Sequence, residues 1–105
     1  MTKQNPIEGD VKNAVKKLLA THGWFAFMPP ANTYGANGIS DIIAVKAGLF
    51  LAVEVKLKKA EGSTNQEAFM KSVRDHGGFA MLVNMKGLPA FEAWLDKFDR
   101  LNDGA

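Results

Sequence analysis

The chain contains no cysteine, only two histidines, four prolines and one tyrosine among 105 residues. Without cysteine there are no disulfides and no thiolate metal sites, and nothing calls for an oxidising compartment. No apolar run approaches the ~20 residues that span a bilayer. The opening Met-Thr-Lys-Gln-Asn-Pro lacks the apolar stretch of a signal peptide, so a cytoplasmic protein without membrane contact is expected. There is also no repeat and no low-complexity segment. What remains is 47% hydrophobic and 23% charged, enough for one domain spanning 1–105 with a single core.

The net charge is small, +2, but uneven. Residues 92–103 hold four acids (Glu92, Asp96, Asp99, Asp103) and two bases (Lys97, Arg100), leaving eleven bases against seven acids elsewhere. That excess suits a polyanionic partner, and equally a solvated surface.

Hydrophobic spacing predicts the order α-β-β-β-α-β-α. Ile7, Val11, Ala14, Val15 and Leu18 mark a helix over 7–22, stopped by Gly23. Residues 24–28 form a short strand, and the Gly- and Asn-rich stretch 31–40 a loop. Residues 41–46 and 49–57 are β-branched runs flanking Ala47-Gly48, hence a hairpin. A second helix covers 63–76, a fourth strand 79–84 and a third helix 88–101. Strand 3 and strand 4, joined through a helix, suit a parallel crossover. The fold class is therefore α/β, a mixed four-stranded sheet flanked by helices, with a core over 7–86.

Alternation along strand 3 puts Glu54 and Lys56 on one side, about 6–7 Å apart. With a two-residue turn at Ala47-Gly48, Lys46 pairs with Leu49 and Asp41 falls opposite Glu54, at a Cβ separation of about 4.5–5.5 Å. A bulge would instead move Asp41 beside Val53 or Val55. Two carboxylates that close need a cation between them, either the Lys56 ammonium or a divalent ion. Each residue also has a plain structural reading. Asp41 can be a turn residue, and Glu54 with Lys56 an exposed edge. The apolar context of Val53-Glu54-Val55-Lys56 argues against an edge, since a buried charge needs a partner.

Glu8 lies on the flank of the first helix, in line with Val11, Val15 and Leu19. It can reach the sheet or simply pair with Lys12. Gln66 falls on the apolar stripe of the second helix with Phe69, Met70 and Val73. It can face the sheet or complete a capping box with Ser63. His22 and His76 each precede a glycine at a helix end and read as partners of the helix dipole.

Taken together, Gly38-Ile39-Ser40-Asp41, Glu54-Val55-Lys56, Gly62-Ser63 with Gln66, and a helical Glu8 resemble the VRR-NUC (virus-type replication-repair nuclease) family of the PD-(D/E)XK superfamily. Ser40 departs from the proline in that superfamily's name. The resemblance runs over residues 8 to about 85, and its restriction-endonuclease-like αβββαβ core matches the predicted order. It implies a metal-dependent, structure-specific DNA endonuclease acting on branched DNA such as Holliday junctions, as in stand-alone phage and bacterial members. It implies that Asp41, Glu54 and the Val55 carbonyl ligate Mg²⁺ or Mn²⁺, with Glu8 direct or through water. Lys56 would orient or deprotonate the attacking water, and Gln66 would hold Lys56 or a water. A homodimer is further implied, since a four-way junction is two-fold symmetric.

DNA contact is expected from Tyr34 and Asn37 in the loop, and from Lys58, Lys59 and Ser63 after strand 3. Two other readings compete with the nuclease: a nuclease-like domain that binds nucleic acid without cutting it, and an interaction domain whose acids are structural. The apolar stripe of the third helix (Phe91, Trp94, Leu95, Phe98) fits packing on its own sheet better than a partner surface.

Overall fold

The computed structural model describes residues 7–30, 39–56 and 64–103. The order is α1 (Glu8–Thr21), β1 (Phe25–Phe27), β2 (Ile42–Lys46), β3 (Leu49–Val55), α2 (Thr64–Asp75), β4 (Phe79–Val83) and α3 (Leu88–Asp103). A short 3-10 turn at Met85–Gly87, not foreseen from the sequence, leads into α3. It is capped by Asn84, whose Oδ1 accepts the Gly87 amide at 2.8 Å.

The strands form one sheet in the order β1-β2-β3-β4. β1 and β2 are antiparallel, as are β2 and β3, while β3 and β4 run parallel. The expected mixed sheet is therefore present. The hairpin register is the expected one too: Lys46 pairs with Leu49, and the ladder continues without a bulge to Ile42 opposite Val53. Ala47 (φ 52°) and Gly48 (φ 79°) both take positive φ, the conformation of a type I′ turn, which matches the right-handed twist of the strands.

α1 and α3 cover one face of the sheet, and α2 covers part of the other. Val11, Val15 and Leu19 of α1 join Ile42, Ala44, Leu51, Val53, Val55, Phe91, Leu95 and Phe98 in the main core. The stripe of α3 thus packs on its own sheet, with Trp24 wedged against Phe98 (ring centroids 5.3 Å apart) and Trp94 (6.4 Å). On the opposite face, Met70 of α2 packs with Ile43, Ala52 and Ala80. This smaller cluster lies mainly over β3 and β4. Phe25 (69% exposed) and Phe27 (43%) of β1 and Val45 of β2 remain open to solvent.

Polar straps fix the helices. Lys46 Nζ donates to Asp99 Oδ1 (2.7 Å) and to the His22 carbonyl (2.6 Å), and the His22 ring meets Asp99 Oδ2 at 2.6 Å. His22 was read as a dipole partner of α1; the structure also joins it to α3. The Lys46 and His22 hydrogen bonds hold the Asp99 carboxyl below its ordinary pKa. His76 behaves as expected, its Nδ1 lying 2.7 Å from the Ser72 carbonyl in the last turn of α2. Arg74 closes a fork on the Ala80 carbonyl through Nε (3.1 Å) and Nη2 (2.8 Å), tying α2 to edge strand β4.

Gly77 and Gly78 end α2. The Gly78 amide reaches back to the Val73 carbonyl at 2.9 Å, the 6→1 bond of a Schellman motif. A Cβ on Gly78 would meet Val73 Cγ1 at 2.8 Å and the Phe50 carbonyl oxygen at 3.2 Å, and the latter belongs to the sheet backbone. Gly78→Ala is therefore expected to cost about 1–3 kcal/mol in urea denaturation. Gly77 has φ +92° but open space around it, so Gly77→Ala should cost only the left-handed penalty of about 1–2 kcal/mol.

Candidate active site

The site is built where β2 begins and β3 ends. Asp41 stands one residue before the ladder pair Ile42–Val53, which brings it level with Glu54. The two residues hold each other through the backbone. The Val55 amide donates to Asp41 Oδ2 at 2.8 Å, and the Asp41 amide donates to Glu54 Oε1 at 3.2 Å. Each carboxylate thereby keeps one oxygen for something else. The sheet dictates this: Asp41 lies just outside β2, so amides at the strand ends are free to bond side chains instead of a ladder partner.

Glu54 is 1% exposed. Its Oε2 is buried and accepts no hydrogen bond among the described residues. Lys56 Nζ lies 3.7 Å from it, an ion-pair distance too long for a hydrogen bond. Burial first, and the neighbouring Asp41 charge second, push the Glu54 carboxyl up to about 7, against the pull of Lys56 and the Asp41 amide. The expectation that Glu54 and Lys56 share a side of β3 is met by this contact. β3 itself ends at Val55, and Lys56 keeps one more sheet bond, from its amide to the Val83 carbonyl at 3.0 Å.

α2 runs back along β3: Val73 sits against Phe50 and Gly78, and Met70 packs with Ala52. Gln66 is half-buried and lies one helical turn before Met70. Val55, the middle residue of the Glu-Val-Lys triplet, is fully buried.

Glu8 opens α1 and is exposed. Among the described residues no group of three acidic or histidine side chains is placed to hold a metal, so Glu8 does not join Asp41 and Glu54 in a ready-made cluster. The residue of α1 that does reach the site is Lys12, with Nζ 3.5 Å from Asp41 Oδ1. Sequence reasoning gave Lys12 to Glu8; the i,i+4 spacing was visible, but the proximity of α1 to the start of β2 was not. Ser40 is also buried beside Asp41, its hydroxyl without a partner among the described residues. Tyr34, Asn37, Lys58, Lys59 and Ser63, and with Ser63 the expected capping box, lie outside the described residues.

A hard divalent ion fits this donor set. Two carboxylates, each with an oxygen left over, are the protein share Mg²⁺ ordinarily takes, the rest coming from water and substrate phosphate. The buried Glu54 Oε2 is an acceptor out of water and without a donor among the described residues, a cost that either a proton or a bound cation would relieve. Oxygen ligands alone also suit Mn²⁺ and disfavour zinc or copper.

No family model matches the sequence, and no curated protein matches it. Among solved structures, the chain is similar to one described as a VRR_NUC domain. The identity is 19%, the TM-score is 0.65, and the match covers 89% of this chain and 94% of that one. The mixed sheet and its flanking helices are thus those of a VRR-NUC-type α/β fold. At this identity the likeness is one of fold, and it spans nearly the whole of both chains. No helix of the described residues is long and apolar enough to cross a membrane.

Proposed function

We propose that this chain is a VRR-NUC-type nuclease, a metal-dependent endonuclease that hydrolyses phosphodiester bonds in branched DNA. The observation that carries the reading is the clasped pair Asp41–Glu54 with a buried, unbonded Glu54 oxygen beside the Lys56 ammonium. The likeness of fold supports it.

Asp41, Glu54 and the Val55 carbonyl would hold Mg²⁺ or Mn²⁺. The ion, when bound, supplies Lewis acidity toward the phosphoryl oxygen and neutralises charge that develops there. The chain's own residues do the rest. The amides of Asp41 and Val55 fix both carboxylates before substrate arrives, so little reorganisation is needed in the reaction. Lys56 presents an ammonium at the edge of the pair, where it orients the attacking water and faces the negative charge of the phosphorane. Water oxygen bonds to phosphorus, the P–O bond to the leaving nucleoside oxygen breaks, and the proton lost by water ends on solvent or on that leaving oxygen. Gln66 would hold Lys56 or a water. Glu8 is the residue that would act through water. Shape, not base sequence, would be read, because no base-reading element is recognisable. Paired cuts across a symmetric junction call for two copies of the chain about a dyad. Sedimentation at working concentration tests that dimer.

The deciding experiment incubates the protein with a labelled four-way junction, a flap and a linear duplex, each with Mg²⁺, Mn²⁺ or EDTA. Cleavage with either metal and none in EDTA is expected, with branched substrates cut first. Lys56→Ala should lower the rate by about 10²–10³-fold, the usual loss for one charge-stabilising group. Binding without cleavage under every metal condition would replace the nuclease with the binding-only reading.

A further inference from the structure

Lys12 is the charged group the nuclease reading leaves unused. Asp41 Oδ2 is taken by the Val55 amide, so Oδ1 is the oxygen open to a cation, and Lys12 Nζ stands 3.5 Å from it. The same division holds at Glu54, where Oε1 takes the Asp41 amide and Oε2 faces Lys56 at 3.7 Å. The two open oxygens therefore meet two ammonium groups, together carrying the charge of one divalent ion.

The two lysines are not equivalent. Lys56 follows directly on β3, where its amide donates a hydrogen bond to the Val83 carbonyl, and 23% of its side chain is exposed. Lys12 projects from α1 with 31% of its side chain exposed, so it is the more open of the two to solvent and substrate. Its four-carbon stem can swing away without moving any backbone. Once a divalent ion sits between the carboxylates, both ammonium groups are repelled by it, and the site as a whole becomes net positive. The more exposed cation, Lys12, then turns outward, toward an anionic substrate.

We propose that Lys12 is the placeholder for the divalent cation: it occupies Asp41 Oδ1 in the metal-free protein, yields that oxygen when the ion binds, and then contacts a phosphate of the DNA backbone. The proposal rests on the metal-dependent nuclease reading and deepens it, adding a device that keeps the acids paired until metal arrives.

The test uses the full chain as wild type, Lys12→Met and Lys12→Arg. Mn²⁺ binding is followed without DNA, by the electron paramagnetic resonance signal of free Mn²⁺. Methionine keeps the apolar stem and removes the competitor, so Lys12→Met should bind Mn²⁺ about two- to fivefold more tightly, the range set by a partly exposed ion pair. Lys12→Arg should match the wild type. Duplex binding in Ca²⁺ should weaken in Lys12→Met, with the slope of log K against log salt reduced by about one. Equal or weaker Mn²⁺ binding by Lys12→Met, with cleavage intact, overturns the placeholder and leaves the nuclease standing. An unchanged salt slope removes the phosphate contact. Mn²⁺ binding by none of the three proteins overturns the metal-dependent reading and the placeholder together.

Discussion

Glu54→Gln is expected to cut no DNA and yet to be more stable than the wild type in EDTA above pH 7. Both effects have one source. Glu54 is almost wholly buried beside Asp41, and its carboxyl is raised from 4.5 to about 7. Below pH 4.5 the folded and unfolded chains both carry the proton and nothing is lost. Between 4.5 and 7 the unfolded chain releases it first, so stability falls as pH rises. Above 7 the buried charge exacts its full cost, on the order of 3 kcal/mol. Glutamine keeps the shape and can still accept the Asp41 amide, but it does not titrate.

Denaturation in EDTA from pH 4.5 to 8.5 should therefore show a falling profile for the wild type and a flatter one for the variant. Parallel profiles would count against this account. Adding Mn²⁺ at pH 8 should raise the melting temperature of the wild type by mass action and leave the variant unmoved. Cleavage should drop at least about 10²–10³-fold, since an amide is a poor ligand for a hard cation. Loss of activity with gain of stability is the pattern of a functional acid; a structural one would lose both.

Trp24→Ala should have the largest effect on folding. Trp24 is 3% exposed and links the end of α1 to Trp94 and Phe98 of α3. Truncating a buried tryptophan costs about 3–5 kcal/mol, a large share of the ~5–15 kcal/mol available to a domain. Urea denaturation should find the midpoint sharply lowered, with a melting temperature reduced by about 4–8 °C for each kcal/mol. Trp24→Phe is a useful partner. It retains most of the ring and removes an indole N–H that is buried without an acceptor among the described residues. Because an orphaned donor costs about 1–3 kcal/mol, its removal offsets part of the lost volume. A loss in Trp24→Phe as large as that in Trp24→Ala would show that the retained ring adds nothing to the packing.

The sequence made the sheet legible because its turn chemistry is local. Ala47-Gly48 set the hairpin register, and Gly23 and Gly77 marked the ends of α1 and α2, each with positive φ. The juxtaposition of Asp41 and Glu54 followed from that register alone. Features that depend on packing between distant elements were harder to see. The reciprocal amide bonds require knowing that β2 begins after Asp41. The Lys12–Asp41 contact requires the position of α1 over the sheet, as the His22–Asp99–Lys46 strap requires that of α3. No periodicity encodes either. The 3-10 turn at Met85–Gly87 escaped for the opposite reason: three residues are too few to show a period.

The tight turn at Ala47-Gly48 lies about 17 Å along the hairpin from Asp41 and touches neither acid. It nevertheless decides whether they meet. Side chains in a pleat alternate with parity two, so one residue more or fewer in the loop would invert the facing of everything beyond it and send one carboxylate to the wrong side. A segment that would pass for a tolerant surface loop is in this way a remote guardian of the chemistry. Its length is tied to the facing of the acids, and its residues are held to those that accept positive φ.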